Sequence, residues 1–285
     1  MAAVVAMRSI RSGNVAGMAA LQERARQYSA RGEYRKADAL LRKGLRLAGP
    51  IGIVPGRDHL FLWNELGMVY KYLGKFKKSE QFYRLALRHA PRCLERRERD
   101  FFLATLYHNL GGLEHSRRRY QRGERYARKS LELRCKVSSV HSLGVASDMA
   151  ALAALLDGLG KFEESENLYR KALKIYRREY GPNHRESAVI MNNLAAVYQA
   201  TRRPAQAQAL YEAALEMKRR ELGGSHPDVG VTLNNLGMLY RSQRKTAAAQ
   251  ECFQKAVLIL NKSLGRSHPN TRAVLSNLKR LDRDD

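Results

Sequence analysis

The sequence predicts an all-α fold, a right-handed solenoid of about six helix hairpins closed by a C-terminal capping helix. Two observations carry this. Tyr34, Phe76, Tyr120 and Phe162 recur in matching contexts at spacings of 42, 44 and 42 residues, and the same register continues to Pro204 and Thr246, where the aromatic is lost but the helical pattern persists. Around each, a small residue (Ala37, Ser79, Gly123, Ser165, Ala207, Ala249) is followed four residues on by a mostly large one (Leu41, Tyr83, Ala127, Tyr169, Tyr211, Phe253) and three further on by a small one (Gly44, Ala86, Ser130, Ala172, Ala214, Ala256). Offsets of four and three put these columns on one helical stripe, where small side chains let two backbones approach closely.

In chain order, residues 1–19 read as a leader, apolar at first and then broken by Arg8 and Arg11. Its Arg and Ser content resembles that of an organellar transit peptide, an alternative to a simple helical lead into the first hairpin. The solenoid is expected over 20–285, with repeats near 20–49, 61–91, 104–135, 147–177, 189–219 and 231–261. A cap over 271–281 repeats Asn277-Leu278 and then turns charged, as a solvent-facing last helix should.

Composition excludes several classes. The 285 residues hold 52 Lys+Arg against 27 Asp+Glu, a formal charge of +25, and are 44% hydrophobic. That apolar content, spread along the whole length, is enough to offset the entropy of ordering. Charges interrupt every window of about 20 residues, so no membrane-spanning helix is expected. Cys93, Cys135 and Cys252 are odd in number and in no CxxC spacing, which supports neither a disulfide framework nor a zinc knuckle and fits a reducing, cytoplasmic setting. Cys252 stands in a column with Phe82, Leu168 and Leu210 and reads as a core residue.

The first helix of each hairpin has its own stripe, clearest in Trp63-x-x-Leu66-Gly67-x-x-Tyr70 and in Asn235-Leu236-Gly237-Met238-Leu239-Tyr240. With Ser79, Tyr83, Ala86 and Pro91 at their offsets, the chain resembles the tetratricopeptide (TPR) repeat. Its 42-residue period exceeds the usual length of about 34 and resembles the long-repeat variety of kinesin light chains. The extra residues include Leu222-Gly-Gly-Ser-His-Pro-Asp228 and Leu264-Gly-Arg-Ser-His-Pro-Asn270. There, Gly181, Gly223 and Gly265 can end a helix in a positive-φ conformation. Ser225 or His226 can cap the next helix, with Pro227 in its first turn and Asp228 at its positive end.

The resemblance implies a concave wall lined by first helices, with the residues flanking the Leu-Gly pair facing the groove. Carried over position by position, these include Asn64, Asn109, Asn192, Asn193, Asn234, Asn235 and Asn277, with Lys71, Gln199 and Arg241 one turn later. A carboxamide both donates and accepts, so a ladder of them can hold an extended peptide by its backbone without reading its sequence. The ladder is broken by Ala150 and Ala151 in the fourth unit. The expected function is a non-catalytic interaction scaffold or adaptor taking a protein or peptide segment, with acidic residues favoured by Lys71 and Arg241.

The alternative partner is a nucleic acid or other polyanion. Residues 1–145 hold 30 basic and 12 acidic residues, and Arg118, Arg122, Arg125 and Lys129, spaced three and four apart, are expected to share a helix face. No nucleic-acid-binding motif accompanies them. Phosphate-loop, GxGxxG, HExxH and GxSxG patterns are absent, so neither an enzyme nor a cofactor is expected. His184, His226 and His268 recur one repeat apart, too far for a shared metal, and read as turn and cap residues.

Overall fold

The computed structural model describes residues 17–49, 55–181 and 184–284; residues 1–16, most of the expected leader, lie outside it. Thirteen helices run through the described residues, and no strand occurs among them. They are α1 (17–30), α2 (Tyr34–Leu47), α3 (Arg57–Tyr72), α4 (Phe76–Cys93), α5 (Arg96–Ser116), α6 (Tyr120–Val137), α7 (Leu143–Gly158), α8 (Phe162–Tyr180), α9 (Arg185–Ala200), α10 (Pro204–Leu222), α11 (Pro227–Ser242), α12 (Thr246–Leu264) and α13 (Pro269–Asp284).

One backbone device closes every first helix. An amide donates to the carbonyl five residues back, as from Lys75 to Tyr70 (2.8 Å), Arg119 to Glu114 (2.9 Å) and Lys245 to Tyr240 (3.0 Å). Such a closure needs a left-handed residue just before the donor. Gly32, Gly74 and Gly160 supply it at φ between 71° and 76°, while Arg118, Arg202 and Arg244 are held at φ 57–58°. Each of those arginines costs about 1 kcal/mol relative to glycine. Arg118 is therefore a turn residue that precedes α6, and the expected four-residue helical face shrinks to Arg122, Arg125 and Lys129.

The second helices α8, α10 and α12 end at Gly181, Gly223 and Gly265, whose φ lies between 81° and 87°. The next helix starts on histidine. The Nδ1 atoms of His184, His226 and His268 accept from the amides of Glu186 (3.2 Å), Asp228 (3.1 Å) and Asn270 (3.1 Å). Of the two cap candidates in the sequence, His226 is thus the one that caps.

The large column fills the core: Tyr83, Tyr169, Tyr211 and Phe253, joined by Trp63 of the first-helix stripe, are essentially inaccessible, each contributing about 1.5–3 kcal/mol by burial. The bare backbone of the first helices makes room for it. A Cβ on Gly67 would lie 2.5 Å from the Tyr83 ring, and one on Gly237 would lie 2.7 Å from Phe253. Ser79 and Ser165 satisfy their buried hydroxyls on the carbonyls of Gly67 and Ala153, both at 2.7 Å.

Beyond sequential packing, first helices touch first helices, α3 with α5, α5 with α7, α7 with α9, α9 with α11 and α11 with α13, while among the described residues no two second helices pack to this extent. The first helices therefore form the inner wall of an arc and the second helices its outer wall.

The arc returns on itself. His268 Nε2 lies 2.7 Å from the Tyr72 carbonyl oxygen, and Pro269 sits where a Cβ on Gly74 would be only 2.7 Å from its Cδ. Pro227 meets Gly32 the same way, at 2.8 Å. Both partners shift by the 42-residue period, so the His-Pro starts of α11 and α13 dock on the turns ending α1 and α3 as successive steps of one superhelical contact. Leu264 packs against the N-terminal apolar cluster around Leu41 and Tyr70, which adds apolar burial to the closure.

Candidate functional site

The carboxamides lie on the inner wall, and they are joined to each other. Asn277 donates to Asn234 (2.9 Å), Asn234 to Asn235 (3.5 Å), Asn235 to Asn192 (3.4 Å) and Asn192 to Asn193 (3.1 Å), a directional chain across α13, α11 and α9. Asn109 donates to Asn64 at 2.8 Å between α5 and α3. Asn192 is 5% exposed and serves as a buried rung, which removes it from the residues that face the groove directly. Asn64, Asn109, Asn193, Asn234, Asn235 and Asn277 are half-buried. The chain spends one donor and one acceptor per rung, leaving each exposed amide capacity for a ligand while fixing its orientation.

Between the two amide stretches the wall changes chemistry. His108 Nδ1 lies 2.7 Å from Asp148 Oδ1, and Arg134 Nε donates to Asp148 Oδ2 at 3.0 Å, with both Asp148 and Arg134 buried. This pair sews α6 to α7. Lys218, equally buried, donates to Thr232 at 2.9 Å, and desolvation holds its amine below the ordinary lysine range.

One turn further along the first helices runs the column of Lys71, Gln199 and Arg241. Gln199 accepts from Tyr211 Oη at 3.4 Å, and Arg241 is half-buried. Asp157 stands in the same column between His115 and Gln199, and burial pushes its carboxyl up to about 6. Sequence reasoning passed over it, although its register, 42 residues before Gln199, was the signal.

The ring closure creates a cavity of about 450 Å³. It brings Lys71, His115 and Arg118 of the N-terminal half against Asn234 and Asn235 of the C-terminal half, over a floor that includes Tyr34 and Tyr72. Those two rings stack at 4.8 Å, and Lys71 Nζ lies 4.5 Å from the Tyr72 centroid. The sequence assigned these residues to two separate sites; the closure unites Lys71 and Arg118 with the carboxamides.

The rest of the basic patch is outside this cavity and largely neutralised. Arg117 pairs with Glu80 (2.5 Å) and Glu114 (3.4 Å), Arg122 with Glu80 (3.3 Å) and Glu114 (3.8 Å), and Arg128 with Glu124 (2.8 Å) and Glu164 (3.0 Å). Lys129 Nζ lies 4.8 Å from the Tyr107 ring centroid, and Arg125 is exposed beside Glu124 and Lys161. No group of three His, Cys, Asp or Glu able to hold a metal occurs among the described residues, and no described helix is long and apolar enough to cross a membrane.

The stacked hairpins, the small-on-large columns and the inner wall define an all-α helical repeat protein. The tetratricopeptide repeat model matches residues 102–178, 152–220, 186–257 and 228–284, and a second tetratricopeptide repeat model matches 61–93. The chain belongs to the tetratricopeptide repeat family. Among solved structures it is similar to BtubC (BKLC) from P. vanneervenii, with 21% identity over 95% of this chain and 91% of that one at a TM-score of 0.51. It is also similar to Podosopora anserina kinesin light chain TPR-like repeats, with 18% identity over 72% of this chain and 96% of that one at a TM-score of 0.50. A Rap protein complexed with competence and sporulation factor aligns with 11% identity over 93% of this chain and 74% of that one at a TM-score of 0.62. No curated protein matches.

Proposed function

We propose that the protein is a non-catalytic scaffold or adaptor that holds an extended peptide segment of a partner protein along the inner wall, with acidic residues of that segment favoured by Lys71 and Arg241. The observation that carries this reading is the hydrogen-bonded amide chain from Asn277 to Asn193: five carboxamides, poor helix formers, aligned across three helices on the concave side. Pre-oriented amides bind a peptide backbone at a lower ordering cost than free side chains do. The Rap neighbour, of similar fold, is likewise seen in complex with another molecule, competence and sporulation factor.

Binding of a polyanion to the Arg-rich half is the second reading. The pairing of Arg117, Arg122 and Arg128 with glutamates weighs against it, since paired cations have less field to offer. The test is calorimetry with a peptide selected from a random display library against the full chain. Asn193→Ala with Asn235→Ala is expected to weaken it at least about tenfold, two lost hydrogen bonds at about 1 kcal/mol each. Unchanged affinity in that variant, with loss in Arg125→Glu plus Arg128→Glu, would transfer the function to the outer face.

A further inference from the structure

The closure cavity carries a chemistry that the amide wall does not. Among the described residues, neither Lys71 nor Arg118 forms an ion pair, although Arg117, one residue away, pairs with two glutamates. Lys71 Nζ would lie 3.5 Å from a Cβ on Gly112, which holds the ammonium over α5 and close to His115. His115 is exposed to the cavity. Desolvation by the protein around it, then the Lys71 and Arg118 charges, hold its imidazole below the ordinary histidine range. Opposite them, Asn234 and Asn235 have each committed one amide hydrogen to the ladder and retain a second. A single carboxylate, Asp228, lines the space.

We propose that this cavity binds a compact oxyanion, a carboxylate or phosphate group, between Lys71, His115 and Arg118 on one side and Asn234 and Asn235 on the other. The volume of about 450 Å³ lies within the ordinary range for small-ligand sites. The Tyr34–Tyr72 stack gives an apolar stem somewhere to lie. Because the cations come from α3, α5 and the turn before α6, and the amides from α11, the bound anion bridges the two ends of the arc and favours the closed ring over any open form. The inference deepens the groove reading by giving an acidic residue of the segment a defined seat, but its test variants, at Lys71 and Arg118, and its probe are separate from those that test the amide clamp.

The experiment titrates the full chain, labelled in its histidine rings, with succinate and with inorganic phosphate. A saturable shift of the His115 resonances is expected with at least one of them. Lys71→Met and Arg118→Gly are each expected to weaken it about tenfold, the loss of one charge-assisted hydrogen bond, while Arg125→Ala on the outer wall leaves it unchanged. Arg118→Gly cannot fail through misfolding, because glycine relieves the left-handed turn, so its melting temperature should rise as its anion affinity falls. A short Glu-containing peptide displacing phosphate at lower concentration identifies a protein segment as the natural source; phosphate outcompeting it identifies a free oxyanion. No saturable shift with either anion, or equal affinity in Arg118→Gly, overturns the proposal.

Discussion

His268 reaches the Tyr72 carbonyl oxygen at 2.7 Å across 196 residues of sequence, while its other ring nitrogen accepts from the Asn270 amide. The two bonds together require the neutral tautomer with its proton on Nε2, because the carbonyl can only accept and the amide can only donate. One imidazole thus caps α13 and latches it to the turn after α3.

The latch gives a pH dependence of definite sign. Burial holds the His268 pKa below the ordinary value of 6.5, so near that pH the unfolded chain takes up a proton that the folded chain refuses. Its contribution to stability is complete above about pH 6.5 and is lost as the pH falls below that value. His268→Asn keeps a good cap but cannot reach Tyr72. Its denaturation midpoint should be lower than the wild type at pH 7.5 and nearly equal at pH 5.

Asp157 works in the opposite direction. Its carboxyl, pushed up to about 6 against an ordinary 3.8, opposes folding when ionised. That cost is present in full above about pH 6 and vanishes below pH 4. Asp157→Asn should therefore raise the melting temperature at pH 7.5 and leave it unchanged at pH 4, measured by thermal unfolding at both.

Ring closure can be separated from turn strain by comparing two glycines. Gly160 and Gly74 have φ of 75° and 71°, but a Cβ on Gly160 meets nothing within 4 Å, whereas one on Gly74 meets Pro269 at 2.7 Å. Gly160→Ala should cost about 1 kcal/mol from the left-handed backbone alone. Gly74→Ala should cost on the order of 1–3 kcal/mol more through overpacking, with a larger radius of gyration by X-ray scattering.

The buried Arg134–Asp148 pair predicts a large asymmetry. Asp148→Ala strands a buried guanidinium and should destabilise by about 3–5 kcal/mol in denaturant titration. Replacing both partners, as Arg134→Met with Asp148→Leu, should restore most of that loss, since Leu260 and Val274 fill the equivalent positions of the last junction.

What the sequence disclosed follows from the range of the forces involved. The columns of Ser79, Tyr83 and Ala86, and of Gly67 and Gly237, reflect contacts inside one hairpin, so they repeat with the period and can be read directly. The histidine caps were legible for the same reason, being local to three residues. The closure was not, because the docking of His268 on Tyr72 depends on a small rotation accumulated over several repeats, and Gly74 shows only as a turn glycine. Arg118 was misplaced on a helical face by counting offsets of three and four through a position that the Gly32 and Gly74 register marks as left-handed. The amides were found but not their mutual bonding, which depends on how closely α9, α11 and α13 approach. Asp148 and Arg134 escaped notice because their column is mixed, holding Tyr176 and Ile190, Lys218 and Thr232, and Leu260 and Val274 in the later repeats, so no single residue type flags it.

The central claim, that a partner segment lies on the carboxamide wall, is tested most directly by photocrosslinking. A library-selected peptide carrying a benzophenone is irradiated on the full chain, and the adducts are located by mass spectrometry. Adducts on α9, α11 and α13 around Asn193, Asn235 and Asn277 are the predicted result. Adducts confined to the second helices, around Arg125 and Arg128 on the outer wall, would contradict it.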